Sequence, residues 1–255
     1  MIREHLLERR LPTDPLFRWR GGAVSRLEGF SDGVFAVILA LLIASASVPN
    51  TFHELWLTIR DLPVFLVTFL FLMMCWHDHY IYFRRYGLED GVTKLLNGAF
   101  LFLIAFFAFP LKFLATFLWH LIIGVPSVGM FEVQPGLPPM GEWLSTDLAQ
   151  RTAMMAFYGI GGLGVYAVLS LMTLRAYRVR AVLELDALEQ HLTKVALSHQ
   201  LIMVVVSLLS LLVLAATGNP GISGLVYFVI GPAHAVIGFA SGIKTNRLHQ
   251  QLSRT

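Results

Sequence analysis

Six long apolar stretches constrain this chain more than any other feature. A helix needs about 20 consecutive, mostly apolar residues to cross a bilayer. The candidates run from about Val24 to Val48, Leu62 to Phe83, Leu95 to Leu118, Ala153 to Leu174, Leu201 to Ala216 and Gly221 to Gly242. Pro49-Asn50 ends the first, and Thr217-Gly218-Asn219-Pro220 is a strong turn signal between the last two. The expected fold is an all-α membrane protein with six transmembrane helices per chain. Only 14% of the 255 residues are charged, against about 25% in an ordinary soluble domain. The division that follows is a segment at 1–21, a six-helix domain at 22–243 and a tail at 244–255. Residues 1–21 are polar and arginine-rich and the first apolar run is too long for a signal-peptide core, so no cleaved leader is expected.

The net charge of +3 does not mark a nucleic-acid binder, because the basic residues sit between apolar segments instead of forming a stripe. They set orientation. With the N-terminus in the cytoplasm, the cytoplasmic set is Arg3, Arg9, Arg10, Arg18, Arg20, Arg26, Arg84, Arg85, Lys94, Arg175, Arg178, Arg180, Lys194, Lys244, Arg247 and Arg254. Only Arg60, Lys112 and Arg151 remain for the other side. An odd number of spans would break this partition, so both termini are expected in the cytoplasm of a multi-pass protein of the cell membrane. Two stretches read as lying outside the membrane. Val182–Gln200 looks like a short amphipathic cytoplasmic helix leading into the fifth span. About 124–151 is a polar external loop with Pro126, Pro135, Pro138 and Pro139. No repeat of 20–50 residues is visible.

The first span carries the unusual chemistry. It opens Arg26-Leu27-Glu28-Gly29-Phe30-Ser31-Asp32-Gly33. Ionisable groups in a membrane helix are costly and usually face protein or water. Arg26 and Asp32 are six residues apart, too far in register to meet on one helix, so each needs a partner elsewhere. Gly29, Gly33, Ala36, Ala40, Ala44 and Ser47 form a stripe of small residues that permits close helix approach. Beside it runs an apolar face with Val37 and Leu41. Packing alone would account for both features.

Arg26-x-x-x-Phe30-Ser31-Asp32 followed by an apolar run resembles the signature of the transmembrane-protein-175 family of endosomal, lysosomal and bacterial potassium channels. The second span ends Trp76-His77-Asp78-His79-Tyr80, similar to that family's Trp-x-x-His, and the third has Asn97 near its start and Phe109-Pro110 later. The likeness is densest over the first 120 residues. It implies a single-repeat bacterial subunit, four of which surround a pore lined by the first helix, with K⁺ as permeant ion. It also implies a constriction of apolar side chains five, nine and twelve positions after the motif aspartate, here Val37, Leu41 and Ala44. Ala44 is small where the family is usually bulky, and the external loop is longer than expected. Arg26, Phe30, Ser31, Asp32, Trp76 and His79 become a structural motif that fixes the pore helix. A carbonyl filter of the TVGYG type is missing from the sequence. An apolar constriction offers no ligands in place of hydration water, so a weakly selective, leak-type potassium channel is expected. The alternative is a proton-permeable channel or small proton-coupled transporter using Asp32, His79 and His234.

Other patterns carry less. Gly159-Ile160-Gly161-Gly162-Leu163-Gly164 satisfies G-x-G-x-x-G but lies inside an apolar span without a preceding strand, so it reads as helix packing. His77 and His79 are two apart and point in roughly opposite directions on a helix, which argues against a metal site. His234 reads first as a helix-to-helix hydrogen bond. Cys75 is a lone cysteine in an apolar run and reads as buried packing. With neither a nucleophile–base set nor a metal cluster at useful spacing, no enzyme activity and no cofactor are expected. Reporter fusions at Met1 and Thr255 test the topology: both should report the cytoplasm, and an external signal from either end overturns this six-helix arrangement.

Overall fold

The computed structural model of the chain describes residues 16–45, 48–126, 128–131, 144 and 146–252. Eight α-helices are found there: α1 (Arg26–Ala44), α2 (Phe52–Arg60), α3 (Leu62–Tyr86), α4 (Gly91–Ile122), α5 (Asp147–Arg178), α6 (Ala187–Thr217), α7 (Pro220–Leu225) and α8 (Ile230–Leu252). Two short 3₁₀ turns, Val128–Met130 and Val226–Val229, complete the regular structure among these residues. Six segments are long and apolar enough to cross a bilayer: α1, α3, α4, α5, α6 and the unit Pro220–Gln250. The chain is an all-helical, multi-pass membrane protein.

Local chemistry sets the helix ends. Ser25 and Glu28 form a reciprocal capping box at the start of α1: the Glu28 N–H donates to Ser25 Oγ at 3.2 Å, and the Ser25 N–H donates to the Glu28 carboxylate at 2.9 Å. Asp186 and Glu189 do the same for α6. Gly87 and Gly218 close α3 and α6 in the left-handed region, at φ of 59° and 60°, where a side chain would be strained. Asp90 caps α4 by accepting from the Thr93 N–H at 2.8 Å. Its carboxylate also takes the Arg175 guanidinium from the end of α5, one of the bonds measuring 3.0 Å. The Arg175 hydrogen bond, helped by the Thr93 N–H, pulls the Asp90 carboxyl down to about 2. This clamp is therefore complete above about pH 4 and is lost only as pH falls through about 2.

Three features differ from the sequence reading. The stretch Val182–Gln200 is not a separate cytoplasmic helix. Residues 182–184 turn, and a single helix runs unbroken from Ala187 to Thr217, because no glycine or proline occurs between those two residues and one capping box starts the whole helix. Second, α2 stands between the first two spans where no helix was expected. Thr51 caps it by accepting from the Glu54 N–H, and Glu54 reaches back to the Asn50 N–H at 2.7 Å. Third, the last span is a short helix, a 3₁₀ turn and a long helix, and the latter continues past Gly242 to Leu252. Ser47, Pro135, Pro138 and Pro139 lie outside the described residues.

The core has two parts. In mid-bundle, Phe35, Ile38 and Leu42 of α1 pack with Leu72, Cys75, Phe100, Ile104, Val165 and Leu169. At the end bearing Arg84 and Arg175, Phe17 packs with Tyr82, Phe83, Tyr86, Met172, Ala176 and Leu185. A strap at 17–21 crosses this second cluster. The Arg20 and Gly21 N–H groups donate to the Arg84 carbonyl at 3.1 and 3.0 Å. Arg20 pairs with Glu189 at 2.5 Å and also donates from Nε to the Leu183 carbonyl. The glycines at 159–164 let α5 sit tightly against its neighbours. A Cβ on Gly161 would meet the Phe107 ring at 2.2 Å, and one on Gly159 would meet Leu211 at 2.7 Å.

Gly161→Val should therefore force the rigid Phe107 ring aside and lower unfolding stability by about 1–3 kcal/mol, as overpacking does. Gly98→Ala, with nothing within 4 Å of the added carbon, should leave stability equal or slightly raised. Thermal unfolding of the two purified variants in detergent checks the contrast.

Candidate functional site

The two sides of α1 meet different surroundings. Ser31, Phe35, Ile38 and Leu42 face inward and are buried. Gly33, Ala36, Val37, Ala40, Leu41 and Ala44 face outward from the single chain and are exposed. A repeat of about 100° per residue separates the two sets.

The inward side is held by polar contacts to α3 and α4. The Ser31 hydroxyl donates to the Leu27 carbonyl at 2.8 Å and accepts from Asn97 Nδ2 at 3.0 Å. The Asn97 Oδ1 lies 2.7 Å from His79 Nε2. Asn97 spends its N–H on Ser31, so its oxygen must accept, and His79 must carry a proton on Nε2. One continuous chain, His79 to Asn97 to Ser31 to the Leu27 carbonyl, thus links three spans. All three side chains are nearly fully buried, at 2%, 1% and 0% exposure. Aromatic rings surround the imidazole: Phe100 stacks on it at 5.7 Å and 8°, while Phe83 and Phe35 lie tilted at 4.8 and 6.0 Å.

A second contact ties Asp32 to α3. Trp76 Nε1 donates to the Asp32 carboxylate at 2.8 Å, and the indole stacks on Tyr80 at 5.5 Å. A third is an ion pair. Arg84 reaches back from the end of α3 to the Glu28 carboxylate and donates to the Gly22 carbonyl at 2.9 Å. Both Glu28 and Arg84 are buried. The sequence reading used Arg84 only to set orientation and gave Glu28 no partner, so it missed this pair. The available signal was a glutamate in the first turn of a span that needs a counter-charge, facing a neighbouring span that ends on arginine.

The other motif residues lie outside this knot. Arg26 is exposed, and among the described residues no hydrogen bond or ion pair reaches it. Phe30 is 66% exposed, on the same side as Val37 at 58% and Leu41 at 50%. Cβ atoms built on Gly29 and Gly33 would meet nothing within 4 Å, so this part of the small-residue stripe is also left uncovered by the described residues. His234 lies elsewhere: its Nδ1 is 2.7 Å from that of His199 on α6, with the rings stacked at 4.8 Å. Among the described residues no hydrogen bond joins it to Asp32 or His79. No group of three or more metal-ligating side chains occurs among the described residues, and His79 is committed to Asn97.

These contacts predict an order of damage. Arg84→Met leaves the Glu28 carboxylate buried without its partner and should cost about 3–5 kcal/mol of unfolding stability. Asn97→Ala removes the bridge between His79 and Ser31 and should cost about 1–3 kcal/mol. Arg26→Ala should leave the unfolding of a single subunit near wild type. Denaturant unfolding in detergent, followed by tryptophan fluorescence, ranks the three.

The knot and the bare face occupy the part of the chain that known proteins share most clearly. Residues 26–108 match a family model described as endosomal/lysosomal potassium channel TMEM175. A potassium channel of Marivirga tractuosa is 36% identical over 242 residues, which covers 93% of this chain and 95% of that relative. A potassium channel of Chamaesiphon minutus is 31% identical over 105 residues, covering 37% of this chain and 51% of its own length. Among solved structures, a variant of the potassium channel MtTMEM175, crystallised with a nanobody–MBP fusion protein, superposes with a TM-score of 0.73 at 35% identity, covering 90% of this chain and 98% of that one. By near full-length similarity to such relatives, this chain belongs to the TMEM175 family of potassium channels, a family of ion channels and not of enzymes.

Proposed function

We propose that the chain is one subunit of a homotetrameric, weakly selective K⁺ leak channel whose pore is lined by α1. The observation that carries this reading is the two-sidedness of α1: its polar side is knotted to α3 and α4, while Val37, Leu41 and Ala44 stand together on the side its own chain leaves bare. Four copies arranged around an axis would turn that side into stacked rings. Val37 and Leu41 are about one turn apart and would form two apolar layers, with Ala44 a wider third. An apolar ring impedes ions by making them shed water and by dewetting. K⁺ is held less tightly by its hydration shell than Na⁺, so the same constriction favours K⁺ modestly. The membrane is the cell membrane, and both termini lie in the cytoplasm, as the basic residues direct. Residues 1–21 and 244–255 are the cytoplasmic ends of a channel domain spanning 22–243.

The motif acts through position. Ser31, Asp32, Trp76 and His79 set the rotation and depth of α1, while Arg26 and Phe30 lie on the outward side, where a neighbouring subunit would meet them. Asp32→Ala should therefore reduce tetramer yield together with current. A well-assembled tetramer with altered proton flux would instead favour the proton pathway through Asp32, His79 and His234.

The test is reversal potential in proteoliposomes under opposing K⁺ and Na⁺ gradients. Leu41→Ala should raise conductance and weaken discrimination. Val37→Asn should hydrate its ring and loosen selectivity similarly, and Ala44→Gly should change little. In a Cys75→Ala background, Val37→Cys and Leu41→Cys should react with water-borne thiol reagents and block current. If neither position alters selectivity or becomes reactive, α1 does not line the pore.

A further inference from the structure

A second feature lies away from α1, where α3, α4, α5, α6 and α7 border a partly open cavity of about 370 Å³. Its walls include Phe107 and Leu118 of α4, Met155 of α5 and Gly224 of α7. Phe107 and Leu118 are eleven residues apart on one helix, so the space extends about 16 Å along the axis. None of its lining residues among those described is charged.

One polar atom in this wall has no partner. Ser207 of α6 is fully buried at 0% exposure, and its hydroxyl makes no hydrogen bond. The hydroxyls of Thr68, Thr116 and Ser198 in these helices bond to the carbonyl four residues back, whereas that of Ser170, like Ser207, has no partner among the described residues. Ser207 and Gly162 stand side by side in the lining, and a Cβ on Gly162 would lie 3.2 Å from the Ser207 Oγ. In hydrocarbon an unpaired hydroxyl is costly. Besides Ser207, the lining carries the hydroxyls of Tyr166, Tyr227 and Tyr158, the last already given to the Pro110 carbonyl, and is otherwise apolar. An ionised ligand would find no counter-charge here.

We propose that this slot binds a small uncharged amphiphile: an aliphatic or alkyl-aromatic body ending in one hydroxyl that pairs with Ser207 Oγ. The volume lies at the lower end of the range for small-molecule sites, which suits a medium-chain alcohol or alkylphenol. The site is separate from the bare face of α1, so binding is read without measuring current.

The probe is an octanol carrying a photoactivatable diazirine, applied to the purified full-length protein in lipid nanodiscs. Labelling of peptides from α5 and α6 should saturate, and 4-pentylphenol should compete for it far better than octane. Ser207→Ala should weaken the alcohol about two- to ten-fold, the range for one net hydrogen bond, while leaving octane competition unchanged. Gly224→Leu adds bulk where a Cβ meets nothing within 4 Å, and should abolish saturable labelling. If that variant does not elute like the wild type, the Ser207→Ala comparison carries the test alone. Labelling that rises linearly with probe, or that is indifferent to Ser207→Ala, overturns the proposal.

Discussion

A polar side chain inside a bilayer has no water to fall back on, and the arrangement of the first three spans follows from that. Ser31 and Asn97 would each be a liability on an isolated helix. Joined to His79, they become a chain in which each of these three donors meets an acceptor. Because the donors must alternate correctly along it, the chain is satisfied at only one relative rotation of α1, α3 and α4. Hydrophobic contacts could not impose this, since lipid tails are as apolar as the side chains and helices can slide or turn against one another at little cost. The Asp32–Trp76 bond and the Glu28–Arg84 pair act in the same direction from nearby points on the same face of the bundle. The Phe100 ring stacks nearly parallel to the His79 imidazole and packs it in the orientation in which Nε2 meets Asn97.

Such fixation matters for an apolar constriction. Where carbonyl oxygens replace the hydration shell, selectivity is written into ligand geometry. Where the wall is Val37 and Leu41, only width and dryness remain, and both change if the helix rotates by a fraction of a turn. The polar knot lies within about two turns of Val37 on the same helix. It is close enough to set the direction of these side chains, and none of its donors faces the bare side. In the proposed tetramer the chemistry that orders the helix is thus kept apart from the surface that ions would meet.

Much of this was legible in the sequence, for reasons that differ by feature. The span count follows from hydropathy, which reports the solvent and needs no tertiary information; all six apolar stretches became membrane-length segments. The link between Asp32 and Trp76, like the nearness of Ser31 and His79, lay in a motif. What was not legible depends on distance. Glu28 and Arg84 are 56 residues apart, and nothing local in either says that they meet. The helix α2 was missed because span-length reasoning passes over nine-residue elements, although Thr51 and Glu54 form half of a capping box. The length of α6 was misjudged because a change from polar to apolar composition was taken for a boundary. Composition marks where a helix leaves lipid, whereas only a cap or breaker marks where it ends, and neither occurs between Asp186 and Gly218.

The least covered parts of the chain bear on how subunits would sit. The unit Pro220–Gln250 is only 6% buried over its most apolar window, and α8 contacts chiefly α6 within the chain. It therefore suits a rim turned toward lipid, where exposed Phe228, Val236 and Phe239 need no protein partner. The bare stripe of α1 is different in kind. Gly29, Gly33, Ala36 and Ala40 offer little side-chain area to lipid, so facing acyl chains gains them little. Facing another helix lets the backbones approach closely and gain dispersion contacts along the whole stripe. In the proposed tetramer the small-residue stripe of α1 would turn inward to neighbouring copies and the exposed Val236 and Phe239 of α8 outward to the bilayer. Arg26 fits the same sorting. A guanidinium that no hydrogen bond or ion pair reaches among the described residues would be poorly placed among acyl chains, but at the entrance of an inward-facing helix it would have both water and a neighbouring subunit within reach.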